Sequence, residues 1–283
     1  MLAGALNNPA VVLDMSDMRR VEQIQREALH EAERYGDAQL ATFLHANCVA
    51  CYWLLGDWDE AMAIADRSIA EFEESPHVLE GPSRLFRGYM LLARGHRDPS
   101  LADFERALER ARETPDDAQT MAPALIRSAW AYLQVARASE ARALFEEALP
   151  QLRKDPHARP WAMAEVALEL GESSAIREIL EMLPASTGQR AMLAVVDEEF
   201  EKAAELYAAA NVRRFEAEAR LRLAKQLLAS RRTAEGEAQL VQSLDFYRSV
   251  GATLFVERSA QFLAESQRDS AYASAKRSVI PAT

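Results

Sequence analysis

The sequence is poor in the residues that build turn-rich or cross-linked folds. Ten glycines and eleven prolines among 283 residues are too few for the many tight turns of an all-β chain. Aromatic side chains make up only 7%. Lysine is confined to Lys154, Lys202, Lys225 and Lys276, so the basic side is almost wholly arginine, a bias expected of a GC-rich bacterial genome. Cys48 and Cys51 are the only cysteines. One helical turn apart, they are poorly placed for a mutual disulfide, and a reducing, cytoplasmic compartment is expected. No apolar run approaches the length of a bilayer span. The stretch from Met1 to Pro9 lacks the basic start and apolar core of a signal peptide. The net charge of −11, with no basic block to offset it, argues against nucleic acid as a direct partner; no membrane partner is expected either.

Motifs that carry chemistry are missing as well. There is no Gly-x-x-x-x-Gly-Lys-Ser/Thr phosphate loop, no Gly-x-Gly-x-x-Gly turn and no Gly-x-Ser-x-Gly elbow. No helix-turn-helix pattern with a basic recognition helix occurs. His30-Glu31 lacks the second histidine of a zinc-protease helix. His45, Cys48 and Cys51 share one broad helix face, but no further cysteine completes a zinc site, so core packing accounts for them. Asp116-Asp117 follows Pro115 at a helix start, where carboxylates cap. The pairs Glu73-Glu74, Glu146-Glu147 and Glu198-Glu199, with the arginine pairs Arg19-Arg20, Arg213-Arg214 and Arg231-Arg232, read as solvated helix faces. No catalytic residue, metal site or cofactor is expected, and an α-helical enzyme is a remote alternative.

What the chain has in abundance is Ala, Leu, Glu and Arg, the strong helix formers. Apolar residues are 49%, enough for a continuous core. A first helix capped by Ser16 or Asp17 carries Val21, Ile24, Ala28 and Ala32 at spacings of three and four. Gly36 ends it, and a second helix runs to Leu55 with Leu40, Phe43, Leu44, Val49 and Tyr52 among its apolar residues. A repeat then emerges. Gly56, Gly95 and Ala136 end one helix; Ala61, Ser100 and Ala141 follow as small residues early in the next; Pro76, Pro115 and Pro156 close the copies, 39 and 41 residues apart. Two antiparallel helices approach closely only where small side chains face each other, with large apolar residues filling the space beside them. Proline then ends the second helix because it cannot extend the hydrogen-bond ladder. The second half is less regular. Helices are expected over 158–170, from Ser173 or Ser174 toward Pro184, and near 189–196, 198–210, 212–229, 233–250 and 253–266. Gly236 stands at the small position and Gly251 where earlier copies have proline.

These features resemble the tetratricopeptide repeat, here with long copies. The aromatic after the helix end is Trp58 in one copy and Phe200 in another. The opening tryptophan of the motif is absent, with His45, Arg84 and Leu125 in its place. The resemblance implies an all-α fold, a right-handed α-solenoid of antiparallel helix pairs, with about 12–14 helices over residues 17–266. Residues 1–16 read as an irregular N-terminal segment and 267–283 as a flexible tail. The stretch Leu244-Asp245-Phe246-Tyr247-Arg248-Ser249-Val250-Gly251-Ala252 with Glu257-Arg258 resembles the C-terminal end of bacterial signal-transduction ATPase regulators, of the LuxR-type or nucleotide-cyclase-linked kind. That resemblance implies a sensor or scaffold attached to an ATPase module lying outside this chain.

In such arrays the first helix of each pair lines the concave side. Counting back from the small positions places Ala46, Leu85 and Ile126, then Ala50, Tyr89, Trp130 and Lys225, then Trp53 and Leu133 along that side, with Phe43 beside them. The stripe is apolar and aromatic. It reads either as a groove for a protein or peptide partner or a small effector, or as core buried by a tightly curved superhelix. A non-enzymatic interaction or sensing module is therefore expected, either within a signalling regulator or as a free-standing adaptor; oligomeric state is left open.

Overall fold

The computed structural model describes residues 17–264 apart from 76, 157, 159 and 160. Among these there is no strand. Thirteen helices follow in order: α1 (Met18–Tyr35), α2 (Ala38–Leu55), α3 (Trp58–Glu74), α4 (Glu80–Ala93), α5 (Arg97–Arg112), α6 (Ala118–Gln134), α7 (Ala138–Lys154), α8 (Met163–Leu170), α9 (Ser173–Glu181), α10 (Thr187–Val196), α11 (Phe200–Ala209), α12 (Arg213–Ala229) and α13 (Thr233–Ser249). A further helical run covers 253–264. The fold is an α-solenoid. The segments 1–16 and 267–283, and Pro76 and Pro160, lie outside the described residues.

Local signals explain the boundaries. Asp17 and Asp37 accept hydrogen bonds from the backbone N–H groups of Arg20 and Leu40 and so cap α1 and α2. The tight turns between helices each hold one residue in the left-handed region. Gly56 at φ 92° supplies it between α2 and α3, while Ala136 at φ 62° takes the same conformation without glycine's freedom. α8 starts at Met163 rather than near 158. Residues 158–162 contain no Ser, Thr, Asp or Asn to cap an earlier start, and Trp161 and Ala162 form a turn. Ser173 and Ser174 lie inside α9, whose N-cap position is Glu172. On α1 the buried set includes Gln25, whereas Ile24 is only half-buried.

Small residues sit at the helix crossings. Ala61, Ala65, Ala107, Ala141 and Ala148 are buried. Ser100 Oγ donates to the Gly88 carbonyl at 2.7 Å, so α4 and α5 meet backbone to side chain. A Cβ on Gly88 would stand 3.1 Å from the Phe104 ring. Successive inner helices α2, α4, α6, α8 and α10 pack side by side, and α12 returns against α2. The superhelix therefore closes on itself. The N–H of Met18 bonds to the Ala210 carbonyl at 2.9 Å. Arg94 Nε reaches the Val250 carbonyl at 3.1 Å, and Phe246 meets Trp58 edge-on at 6.1 Å. Burial of one large apolar core, with two small satellite clusters around Leu44 and Phe200, is the main stabilising term.

The position where the motif has its opening tryptophan is informative. Arg84 on α4 reaches Glu80 at 2.9 Å, Asp103 at 3.0 Å and Glu73 at 3.1 Å. Arg87 grips Asp103 with two bonds of 2.7 Å, and Arg110 meets Glu80 at 2.6 Å. An ion network thus joins α3, α4 and α5 where an aromatic ring was expected.

Candidate binding cavities on the inner side

Closure of the superhelix divides the inner stripe into three parts: an aromatic centre and two cavities. At the centre Trp53, Tyr89, Ile126 and Trp130 are buried. Trp53 meets Tyr89 edge-on at 4.8 Å, Phe215 edge-on at 5.6 Å and stacks on Trp161 at 5.8 Å; Tyr89 stacks on Trp130 at 4.1 Å. Into this cluster α12 sends Arg214, at 0% exposure. Arg213 beside it is exposed, as expected of that pair, but Arg214 is not a solvated residue. The reason is the helical period: adjacent residues point about 100° apart, so one faces water and the next faces the core.

Arg214 Nε donates to the Tyr89 hydroxyl at 2.5 Å, and Nη1 donates to Glu165 Oε1 on α8. The guanidinium carbon lies 4.4 Å from the Phe215 ring centroid and 4.9 Å from that of Tyr89, close enough for cation–π attraction. Burial pushes the Glu165 carboxyl up to about 7, against the opposing pull of Arg214. The bonding is incomplete. Arg214 Nη2, Glu165 Oε2 and Trp53 Nε1 are buried without a hydrogen-bond partner among the described residues.

The first cavity, about 230 Å³, opens across α2, α4 and α6. Phe43, Ala46, Ala50 and Leu85 of the expected stripe line it, with Pro82, Phe86, Pro123, Ala124 and Trp161. These residues recur at three- and four-residue intervals on each helix, so each helix presents one side to the opening. The wall is mostly apolar and includes no Asp or Glu, but Arg127 of α6 lies in it. Its guanidinium carbon sits 4.2 Å from the Phe86 ring centroid. Arg127 has no hydrogen bond or ion pair within the described residues, and burial pushes its guanidinium down to about 10.

The second cavity, about 350 Å³, lies among α6, α8, α12 and the run 253–264. Trp130, Leu133 and Lys225 of the expected stripe line it. Here charges of both signs converge. Arg222 donates to Glu169 at 2.7 Å and to Glu218 at 2.9 Å, and the Tyr247 hydroxyl donates to Glu218 at 2.9 Å. Burial acts to raise the Glu218 carboxyl, but Arg222 and Arg214 together hold it below the usual carboxylate range.

The cysteines behave as packing residues. Both are free and buried, and burial pushes the Cys48 thiol up to about 12 and that of Cys51 higher. That is the opposite of a reactive or metal-binding thiol. His45 faces Glu33 at 3.6 Å, and no cluster of potential metal ligands occurs among the described residues. No described helix is long and apolar enough to cross a membrane.

No protein-family model matches the sequence, and a search of curated proteins finds no match. Among solved structures the chain is similar to a tetratricopeptide repeat protein from Parabacteroides merdae ATCC 43184. The two share 15% identity over 89% of this chain and 99% of that chain, with a TM-score of 0.39, a likeness too slight to bring a function with it.

Sequence reasoning had indicated the stripe but missed Arg127, Arg214 and Glu165. Arg127 lies one position beyond Ile126, on the side of α6 that the stripe left out. Glu165 is one of two glutamates on a short helix and Arg214 is half of an arginine pair, so neither stands out from its neighbours. Only the absence of a nearby opposite charge within three or four residues of Arg127 could have singled that residue out.

Proposed function

We propose that the chain is a non-enzymatic helical-repeat binding module, and that the cavity across α2, α4 and α6 takes an apolar segment of a protein partner. One carboxylate of that segment sits on Arg127. The carrying observation is Arg127 itself, a half-buried guanidinium without a hydrogen bond or ion pair among the described residues, in a mostly apolar wall that holds no Asp or Glu. A charge withdrawn from water without a counter-charge is costly, and an anionic group seated in the cavity would offset that cost. A charge-assisted, bidentate bond would also fix the orientation of the segment.

A random-peptide phage library panned on the purified chain tests this reading. Apolar peptides bearing an acidic residue should be enriched, and Arg127→Leu should weaken them about tenfold or more. Enrichment of basic peptides, or binding indifferent to Arg127, would remove the reading.

The wider role we infer is the sensor or scaffold region of a bacterial signalling or transcription regulator, in the cytoplasm. The resemblance of Leu244–Ala252 to the ends of such regulators supports it. A free-standing adaptor is the alternative, and the size of the native product in an immunoblot separates the two. A band far above 31.6 kDa fits the regulator and a band at that mass fits the adaptor.

A further inference from the structure

The second cavity is set apart from the partner groove by its polarity and its place in the fold. Its floor is apolar and aromatic. Trp130 and Phe255 are both buried there, with ring centroids 6.3 Å apart. Its two carboxylates, Glu169 and Glu218, are already bonded, the first to Arg222 and the second to Arg222 and Tyr247. Two further cations stand at its rim. Arg258 binds only the neutral Gln134, through the side-chain oxygen at 2.8 Å and the backbone carbonyl at 2.5 Å. Lys225 Nζ lies 5.7 Å from the Phe262 ring centroid. Neither cation is within ion-pair distance of a carboxylate among the described residues. Ser259, 1% exposed and also lining the cavity, has a hydroxyl with no partner among the described residues. Buried hydroxyls are ordinarily hydrogen-bonded, so a buried Oγ left open in a cavity wall points to something that would accept or donate there.

We propose that this cavity binds a small organic anion, a carboxylate or phosphate on an aromatic body. Lys225 and Arg258 hold the charged end, the Ser259 hydroxyl donates to it, and the aromatic body lies on Trp130 and Phe255. The site does not depend on the partner groove, which is lined by different residues. It draws on α6, α8, α12 and the run 253–264, four elements that meet only because the superhelix closes. A ligand there would tie the C-terminal run to the inner helices, so its presence should be felt at that seam.

Isothermal titration of the full chain with phenyl phosphate, indole-3-acetate, inorganic phosphate and benzylamine tests the assignment. The two aromatic anions should bind, and hydrogen exchange should slow over α12 and 253–264 but not over α1. Whichever of the two binds more tightly distinguishes a phosphate from a carboxylate ligand. Lys225→Gln removes an exposed side chain with no hydrogen bond to the fold and should weaken binding about tenfold. Ser259→Ala keeps the helix and should weaken it about threefold. Benzylamine binding as well as the anions, inorganic phosphate binding as well as phenyl phosphate, unchanged affinity in both variants, or no binding by any probe would each overturn the proposal.

Discussion

Two parts of this molecule treat buried charge in opposite ways. Between α3, α4 and α5, Glu80 receives Arg84, Arg106 and Arg110, and Asp103 receives Arg84 and a two-bonded grip from Arg87. Both oxygens of each carboxylate are bonded. On the inner side the same residue types are left open. Among the described residues Glu165 and Arg214 share one bond and keep one bare atom each, Arg127 has no counter-charge, and the Ser259 hydroxyl has no partner. Native proteins satisfy nearly all buried polar groups, so the contrast separates a region whose job is to hold helices together from one that still has bonds to make. Arg127 and Ser259 line the two cavities and the Glu165–Arg214 pair lies in the aromatic centre between them, while Ser83, Ser128 and Gln151 hold a buried oxygen without a partner among the described residues and line neither cavity.

The largest test of that contrast is the central pair. Arg214→Met should cost about 3–5 kcal/mol in urea unfolding, because Glu165 is left buried without its partner. Arg214→Met combined with Glu165→Met should recover much of that loss, since an apolar pair of similar volume carries no desolvation penalty. If the double variant is as unstable as the single one, the pair is as well satisfied as the Glu80 network and the contrast fails.

A smaller effect of opposite sign is expected at Arg127. Arg127→Leu removes an unpaired cation from an apolar wall and should stabilise the free protein by about 1–2 kcal/mol while weakening peptide binding. A residue that lowers stability yet is needed for binding is the signature of a functional site. A destabilised Arg127→Leu variant would instead make Arg127 a packing residue through its contact with Phe86.

The pH dependence sharpens the comparison further. Three arginines hold the Glu80 carboxyl below its ordinary range although burial acts to raise it. Its stabilisation is present above the unfolded value and is lost as pH falls through the folded value. Glu165 is raised to about 7 by burial, so between its unfolded value and about 7 the folded state holds a proton that the unfolded chain has released. Stability from that group therefore falls as pH rises through the window, by up to about 3 kcal/mol. Urea midpoints from about pH 3 to about pH 8 should show an acid limb flattened by Glu80→Gln and a neutral limb flattened by Glu165→Gln. Two limbs of the same sign would mean that the inner pair is ionised throughout.

The helical pairs were legible because their signals are local. The step from Gly56 to Ala61, the cap at Asp37 and the small residues Ser100 and Ala141 depend on neighbours within a turn or two, and each lies where the register placed it. The departures are local as well: α8 starts late, after the turn at Trp161 and Ala162. The inner stripe was legible as a stripe, since Ala46, Ala50 and Leu85 follow helical spacing. Its division into a groove, a buried centre and a second cavity was not. Trp53 is buried by Phe215 and Trp161, and Trp130 by Phe255, partners from distant parts of the chain that no periodicity links.

The amino-acid sequence alone therefore determined the helices, their pairing and the spacing of their small crossing residues, because hydrogen-bonded turns, caps and close approach act over a few residues. Only the tertiary structure decided that the superhelix closes and that Arg214 meets Glu165 inside it. It alone decided that Arg127 and Ser259 face openings without a hydrogen bond among the described residues. Those outcomes rest on curvature summed over many helix pairs, where small differences in each crossing add up to bring α12 against α2.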